Sequence, residues 1–204
     1  RPVGLSEKTR NGKSKDGHSV LLHSTAHLMA QAAKRLYPKT KVTIGPYLEN
    51  RFYYDFDVET PFTDEDLLKI EEEMLKISQE NIDIIHHTKS REDALEFFKK
   101  IGEDYKIEII NDLDESEVLK VYTQGDFTDL CRGPHVPSTG VIQHFKLLSS
   151  SAAYWRGDEN NQTLQRVYGT SFTNAKDLKK YLLMLEEQKK RDHRKIGKEL
   201  DLYF

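Results

Sequence analysis

Between residues 21 and 36 the apolar positions Leu22, Ala26, Met29, Ala33 and Leu36 recur at steps of three and four. That is the buried stripe of a helix, and Pro38 ends it. The period then changes. In Phe52-Tyr53-Tyr54-Asp55-Phe56-Asp57-Val58 aromatic and acidic residues partly alternate, which predicts a strand with Tyr53 and Tyr54 on opposite faces. One of the pair then belongs to the core and the other is free for stacking. Thr63 followed by acids at 64–66 predicts a helix N-cap, with Leu67, Ile70, Met74 and Ile77 as the stripe behind it. A strand over 82–86 leads to a second capped helix, with Ser90 in front and Gly102 behind. Further strands are predicted over 105–110, 118–123, 143–148, 152–155 and 164–172. Gly133, Pro134, Pro137 and Gly140 make 126–140 an irregular loop. From 174 to 198 the pattern is helical again, with Leu178, Leu182 and Leu185 on one face. Its far end, Lys189-Lys190-Arg191-Asp192-His193-Arg194-Lys195, is strongly charged and reads as a solvated helix face.

Together these elements predict an α+β fold: antiparallel sheets packed with helices around a cleft, followed by a C-terminal connector helix. The polar, aperiodic opening makes 1–20 a flexible lead-in, 21–173 the functional domain and 174–204 the connector. Composition narrows the class. A length of 204 residues with 37% hydrophobic and 32% charged content suits a soluble globular protein. No apolar run reaches the roughly 18 residues of a membrane span, and no secretory leader opens the chain. The single cysteine, Cys131, allows no disulfide within the chain and fits a reducing, cytoplasmic setting. With 31 Lys+Arg against 34 Asp+Glu the formal net charge is −3, which is not the footprint of a protein that grips nucleic acid on its own.

Two clusters carry candidate chemistry. His23 and His27 stand four apart, one turn of the first helix, on one face. Ser24 replaces the general-base Glu that a zinc-protease helix requires. Cys131-Arg132-Gly133-Pro134-His135 forms the second cluster, and Pro134 puts Cys131 and His135 on a turn. Each cluster alone has an ordinary structural reading. Together they converge in three ways: a tetrahedral zinc set, a metal-free site in which imidazoles polarise water, or a Cys–His nucleophile pair. Asp129 can orient a histidine or a substrate hydroxyl, or be a solvated turn acid. Lys106 reads as an exposed lysine at a strand start. Trp155-Arg156-Gly157-Asp158 reads as packing and turn formation. Neither a phosphate-cradling glycine loop nor a dinucleotide fingerprint is present.

His23-Ser24-Thr25-Ala26-His27, the stretch from Asp129 to Pro137, Tyr154-Trp155-Arg156-Gly157-Asp158 and the string from Arg191 to Leu202 resemble threonyl-tRNA synthetase of the bacterial and eukaryotic type. The match lies in its editing domain and the helix leading out of it, from about residue 22 to the last. Alanyl-tRNA synthetase and its freestanding editing relatives share the His and Cys/His motifs, so the Arg-Asp-His-Arg-Lys string is what selects the threonyl family. The resemblance implies an editing module without the ATP site, the synthetic zinc site or the anticodon-binding domain. Its reaction would be hydrolysis of the ester joining serine to the terminal adenosine of tRNA(Thr). Its partners would be that acceptor end and the remaining synthetase domains, with no membrane.

By the same resemblance His23, His27, Cys131 and His135 line the pocket. Lys106 and a histidine activate or orient the water, and Asp129 binds the ammonium or hydroxyl of the amino acid. Tyr54 contacts the terminal adenosine, and Arg132 is placed with the substrate-binding residues. A metal-free site with no cofactor is favoured, and the alternative is zinc on His23, His27, Cys131 and His135. Two other functions stay open: an acceptor-end binding module without hydrolysis, and a zinc-dependent hydrolase of a small ester. Loss of the His23 or Lys106 side chain is expected to slow hydrolysis and leave the fold intact.

Overall fold

A computed structural model describes residues 15–201. Helix α1 (Lys15–Leu36) is followed by the short strands β1 (Lys41–Val42) and β2 (Tyr47–Leu48) and by β3 (Arg51–Asp57). Next come α2 (Asp64–Glu80), β4 (Ile84–Lys89), α3 (Arg91–Lys100) and α4 (Asp104–Asp112). The chain continues through β5 (Leu119–Gln124), β6 (Phe127–Leu130), β7 (His144–Tyr154), β8 (Thr163–Phe172) and α5 (Ala175–Asp201). The α+β reading holds. One antiparallel sheet runs β1-β3-β8-β7, with β2 also paired to β3, and a second runs β4-β5-β6.

Local chemistry accounts for most of these boundaries. Thr63 caps α2 in a full capping box: its side chain accepts from the Asp66 amide, and the Asp66 carboxylate accepts from the Thr63 amide. Ser90 caps α3 by accepting from the Asp93 amide. The stripes then dock. Leu22, Ala26, Met29 and Ala33 of α1 and Ile70, Met74 and Ile77 of α2 are fully buried against Phe52, Tyr54 and Phe56 of β3. A smaller core joins Ala94 and Phe98 of α3, Ile110 of α4 and Leu119 and Val121 of β5. Among the described residues no helix is long and apolar enough to cross a membrane.

Four sequence expectations change. Helix α1 begins at Lys15, so only residues 1–14 of the expected lead-in remain, and they lie outside the described residues. The stretch 105–110 is helical rather than extended, because as a helix α4 buries Tyr105, Lys106 and Ile110 against three different neighbours. Its Ile-rich alternation favours a strand locally, and tertiary burial overrides that preference. The predicted loop 126–140 opens with β6, which pairs with β5 in the register Tyr122↔Asp129. The two strands expected over 143–155 form one strand, β7, which stays paired to β8 through a bulge at 147–149.

Candidate active site

Four elements converge on one point. Helix α1 brings His23 and His27, β3 brings Tyr54, α4 brings Lys106, and β6 with the turn behind it brings Asp129, Cys131 and His135. The ligand atoms of His23, His27, Cys131 and His135 all lie within 4.8 Å of one another. The Cys131 Sγ is 3.3 Å from Nε2 of His23 and 3.3 Å from Nε2 of His135. His27 and His135 are buried, whereas His23 and Cys131 are half-buried, so the cluster opens on their side. Tyr47 stands at that opening, 48% exposed, with its ring 5.9 Å from the His23 ring.

Ser24 supplies order that the sequence analysis missed. Its hydroxyl donates to the Val20 carbonyl at 2.7 Å and accepts from the Val136 amide at 3.0 Å. With its one proton committed, Ser24 meets the His135 Nδ1, 3.0 Å away, as an acceptor. His135 therefore carries its proton on Nδ1 and turns the lone pair of Nε2 toward Cys131. The only signal of this in the sequence is a serine one residue from His23, which has many simpler readings.

Behind the cluster lies a buried ion pair. Lys106 is 2% exposed and Asp129 1%, with the Lys106 Nζ against the Asp129 carboxylate. Lys106 also donates to the Thr43 carbonyl and, at 3.2 Å, to the Tyr54 hydroxyl. Tyr54 donates in turn to Asp129 at 2.7 Å, and the His27 Nε2 lies 3.5 Å from the same oxygen. Of the three N–H donors of the ammonium, two are hydrogen-bonded to Thr43 and Tyr54, and the Asp129 carboxylate meets it as an ion pair.

Three expectations are corrected by this arrangement. Lys106 is a buried helix residue and not an exposed strand start, because α4 turns it inward. Hydrogen bonds to Thr43 and Tyr54 and the ion pair with Asp129 hold its ammonium in the wall behind the histidines. Tyr54 is fully buried with its hydroxyl committed, so its ring offers no face to an adenosine. The half-exposed partner is Tyr53, which stacks under the Arg166 guanidinium at 4.1 Å. Asp129 is likewise a buried partner of Lys106 and not a turn acid open to an ammonium. Arg132 stays at the surface, its side chain 81% exposed and paired with Glu117.

Burial sets the protonation of the cluster. It pushes the Cys131 thiol up to about 12, outweighing the Gly133 amide that donates to the sulfur. A thiol held that high is a poor nucleophile on its own, which removes the support for a Cys–His nucleophile pair. Burial also lowers His23, against the pull of Asp129. It holds His27 and His135 well below the usual imidazole range, and each is lowered further by neighbouring imidazoles. The unfolded chain takes up protons at these two histidines near pH 6.5 while the folded chain does not. Stability is therefore fully present above that pH and declines as pH falls below it, by about 1.4 kcal/mol per pH unit for each histidine. Thermal melts of chelator-treated protein should drop steadily from pH 6.5 to 5, and less so in a His27→Gln variant. A flat profile would show that the imidazoles are not buried in the neutral form.

The donor set also fits zinc. Ligands on a tetrahedral zinc at bond lengths near 2.0–2.3 Å stand about 3.3–3.6 Å apart; here the sulfur is 3.3 Å from the His23 and His135 nitrogens, and the four ligand atoms lie within 4.8 Å of one another. The Ser24 contact to His135 is the outer hydrogen bond that metal-bound imidazoles use. His23, His27, Cys131 and His135 would hold the ion as a closed tetrahedral set; it would supply an activated water only where one of the four gave up its place.

Residues 119–168 match the threonyl and alanyl tRNA synthetase second additional domain. That stretch is similar to the accessory domain of this class of synthetases. Within the class the chain matches the threonyl branch. It is 60% identical over 184 residues to threonine–tRNA ligase of Anoxybacillus flavithermus, covering 90% of this chain and 29% of that protein. Against the ligase of Clostridium novyi it is 58% identical over 191 residues, 94% of this chain and 30% of that protein. Against that of Maridesulfovibrio salexigens it is 60% identical over 190 residues, 93% and 29%. The chain thus spans under a third of the length of these relatives.

Proposed function

We propose that the chain is an aminoacyl-tRNA deacylase, the proofreading part of a threonyl-tRNA synthetase, and that it hydrolyses the ester of serine on tRNA(Thr). The observation that carries this is the meeting of three imidazoles and a thiol in a half-buried cluster backed by the Lys106–Asp129 pair. The need for such a site is physical. A synthetic pocket built for threonine rejects serine weakly, because a missing methyl is worth only about 1–3 kcal/mol. A second pocket that admits serine and clashes with the extra methyl of threonine reverses the sieve.

An ester attacked by water needs a held water and a proton acceptor. His23, the most open imidazole, and the Nε2 of His135 supply the lone pairs that hold the water and take its proton. Cys131 is a neutral donor beside them. The Lys106–Asp129–Tyr54 network fixes His27 and the back wall. The metal-free form is preferred, with burial first and then the neighbouring His23 and Lys106 keeping His27 neutral. The acceptor end of tRNA(Thr), the other synthetase domains and the cytoplasm complete the setting.

Seryl-tRNA(Thr) and threonyl-tRNA(Thr) should be presented to the purified chain and zinc content measured on the same sample. Seryl ester should disappear at least tenfold faster than threonyl ester, without stoichiometric zinc. Binding of the seryl substrate with no hydrolysis above background would leave an acceptor-end binding module. Zinc whose removal abolishes the reaction would make the site a metallohydrolase.

A further inference from the structure

The turn Trp155-Arg156-Gly157 joins β7 to β8 far from the histidines along the sheet, yet it touches the helix that carries Lys106. Tyr105, Glu108 and Asp112 share one face of α4 at steps of three and four, and Lys106 lies about 100° around the helix from Tyr105. Every member of that face meets the turn. The Trp155 ring packs edge-on against Tyr105 at 4.9 Å, and its Nε1 donates to Glu108 at 2.9 Å. The Arg156 guanidinium lies 2.5 Å from the Asp112 carboxylate and 3.5 Å from that of Glu108. Arg156 holds φ 59° and ψ 20°, a left-handed conformation that a non-glycine residue keeps only when its surroundings fix it. The N-terminus of α4 has no side-chain cap, and Glu103 ties it instead to the Val42 amide and to Lys34. Helix α4 is thus pinned at one end and along one face, and Lys106 projects from it into the site.

We propose that the Trp155–Arg156 turn is a positioning element for Lys106: by clamping the outer face of α4 it sets how far the ammonium reaches toward Asp129 and Tyr54. This rests on the hydrolytic reading of the site for its kinetic consequence and on the structure alone for its geometric one. A nine-residue helix is too short to hold its place by its own hydrogen bonds. Releasing the clamp leaves His23 and His135 where they are and loosens the lysine together with the wall behind His27.

The test uses the whole chain with Trp155→Phe, Trp155→Ala and Arg156→Ala. In seryl-tRNA deacylation Arg156→Ala and Trp155→Ala should lower kcat about tenfold with KM changed less than twofold, and Trp155→Phe should recover most of the loss. In a Lys106→Met background the same substitutions should cost less than twofold further. Equal losses in both backgrounds, or no loss in either, would overturn the proposal. The Lys106 Cε resonance, followed by NMR in Arg156→Ala, should shift and broaden while those of His23 and His135 stay in place. An unmoved Lys106 resonance would also overturn it. Absence of hydrolysis in the wild-type chain would end the deacylase reading and leave the resonance experiment to decide the clamp.

Discussion

Lys106→Met should cost both activity and stability, and the stability loss should be large for a single site. The substitution removes the only cation paired with Asp129 among the described residues and leaves that carboxylate buried. Breaking a buried pair in this way typically costs about 3–5 kcal/mol, because the remaining charge is uncompensated. For a chain of this size that is a fall in melting temperature on the order of 10 °C. Tyr54 and Thr43 also lose their donor, so the wall behind His27 relaxes, and displacements near 1 Å can cost about 100-fold in rate. The earlier expectation that the fold survives loss of this side chain intact is therefore revised for Lys106. Pairing Lys106→Met with Asp129→Asn separates the two effects: melting should recover by at least half, whereas hydrolysis should not. A melting temperature unchanged in Lys106→Met would show that the pair is not desolvated. An unchanged rate would remove Lys106 from the reaction.

Gly133→Ala is the second large effect, and it acts through space rather than charge. Gly133 has φ +69°, and a Cβ there would lie 2.0 Å from the Tyr122 hydroxyl and 2.6 Å from its Cζ. The Tyr122 ring cannot easily step aside, because His86 packs on it at 5.4 Å and His135 at 4.4 Å. Either the ring moves and carries His135 with it, or the turn moves and breaks the Gly133 amide contact to the Cys131 sulfur. Left-handed strain of about 1–2 kcal/mol adds to overpacking of about 1–3 kcal/mol. Deacylation should fall about 100-fold and melting by several degrees. Gly102→Ala is the matched control: φ is +74° and nothing lies within 4 Å of the added Cβ, so it carries the backbone cost alone. If both variants lose the same stability and neither loses activity, the close contact at Tyr122 is not what positions the turn.

The histidine pair, the Cys131–His135 turn and the caps at Thr63 and Ser90 were legible because each is a local pattern. A four-residue step names a helix face, and a serine or threonine before acids names a cap. The burial of Lys106, Asp129 and Tyr54 escapes local patterns for one shared reason. Their roles come from burial against segments distant in the chain, 75 residues apart for Tyr54 and Asp129 and 111 for Ser24 and His135. An alternating Tyr-Lys-Ile-Glu-Ile stretch looks extended until three separate neighbours are available to bury it as a helix. For Asp129 the reading as a partner of a histidine holds, its carboxylate lying 3.5 Å from the His27 Nε2, and the surface-acid reading fails because a distant lysine stabilises its burial.

The 119–168 segment that matches the accessory-domain family holds Asp129, Cys131 and His135, while His23, His27 and Lys106 lie outside it. Chemistry in this chain is thus conditional on assembly. A nascent or partly unfolded chain has the parts of the site in separate pieces and no site. Contacts spanning more than a hundred residues, such as His23 to Cys131, belong to the late, slow part of folding. Esterase activity in this protein would be a report that folding has finished, and a destabilised chain would fall silent before it attacked a correct ester.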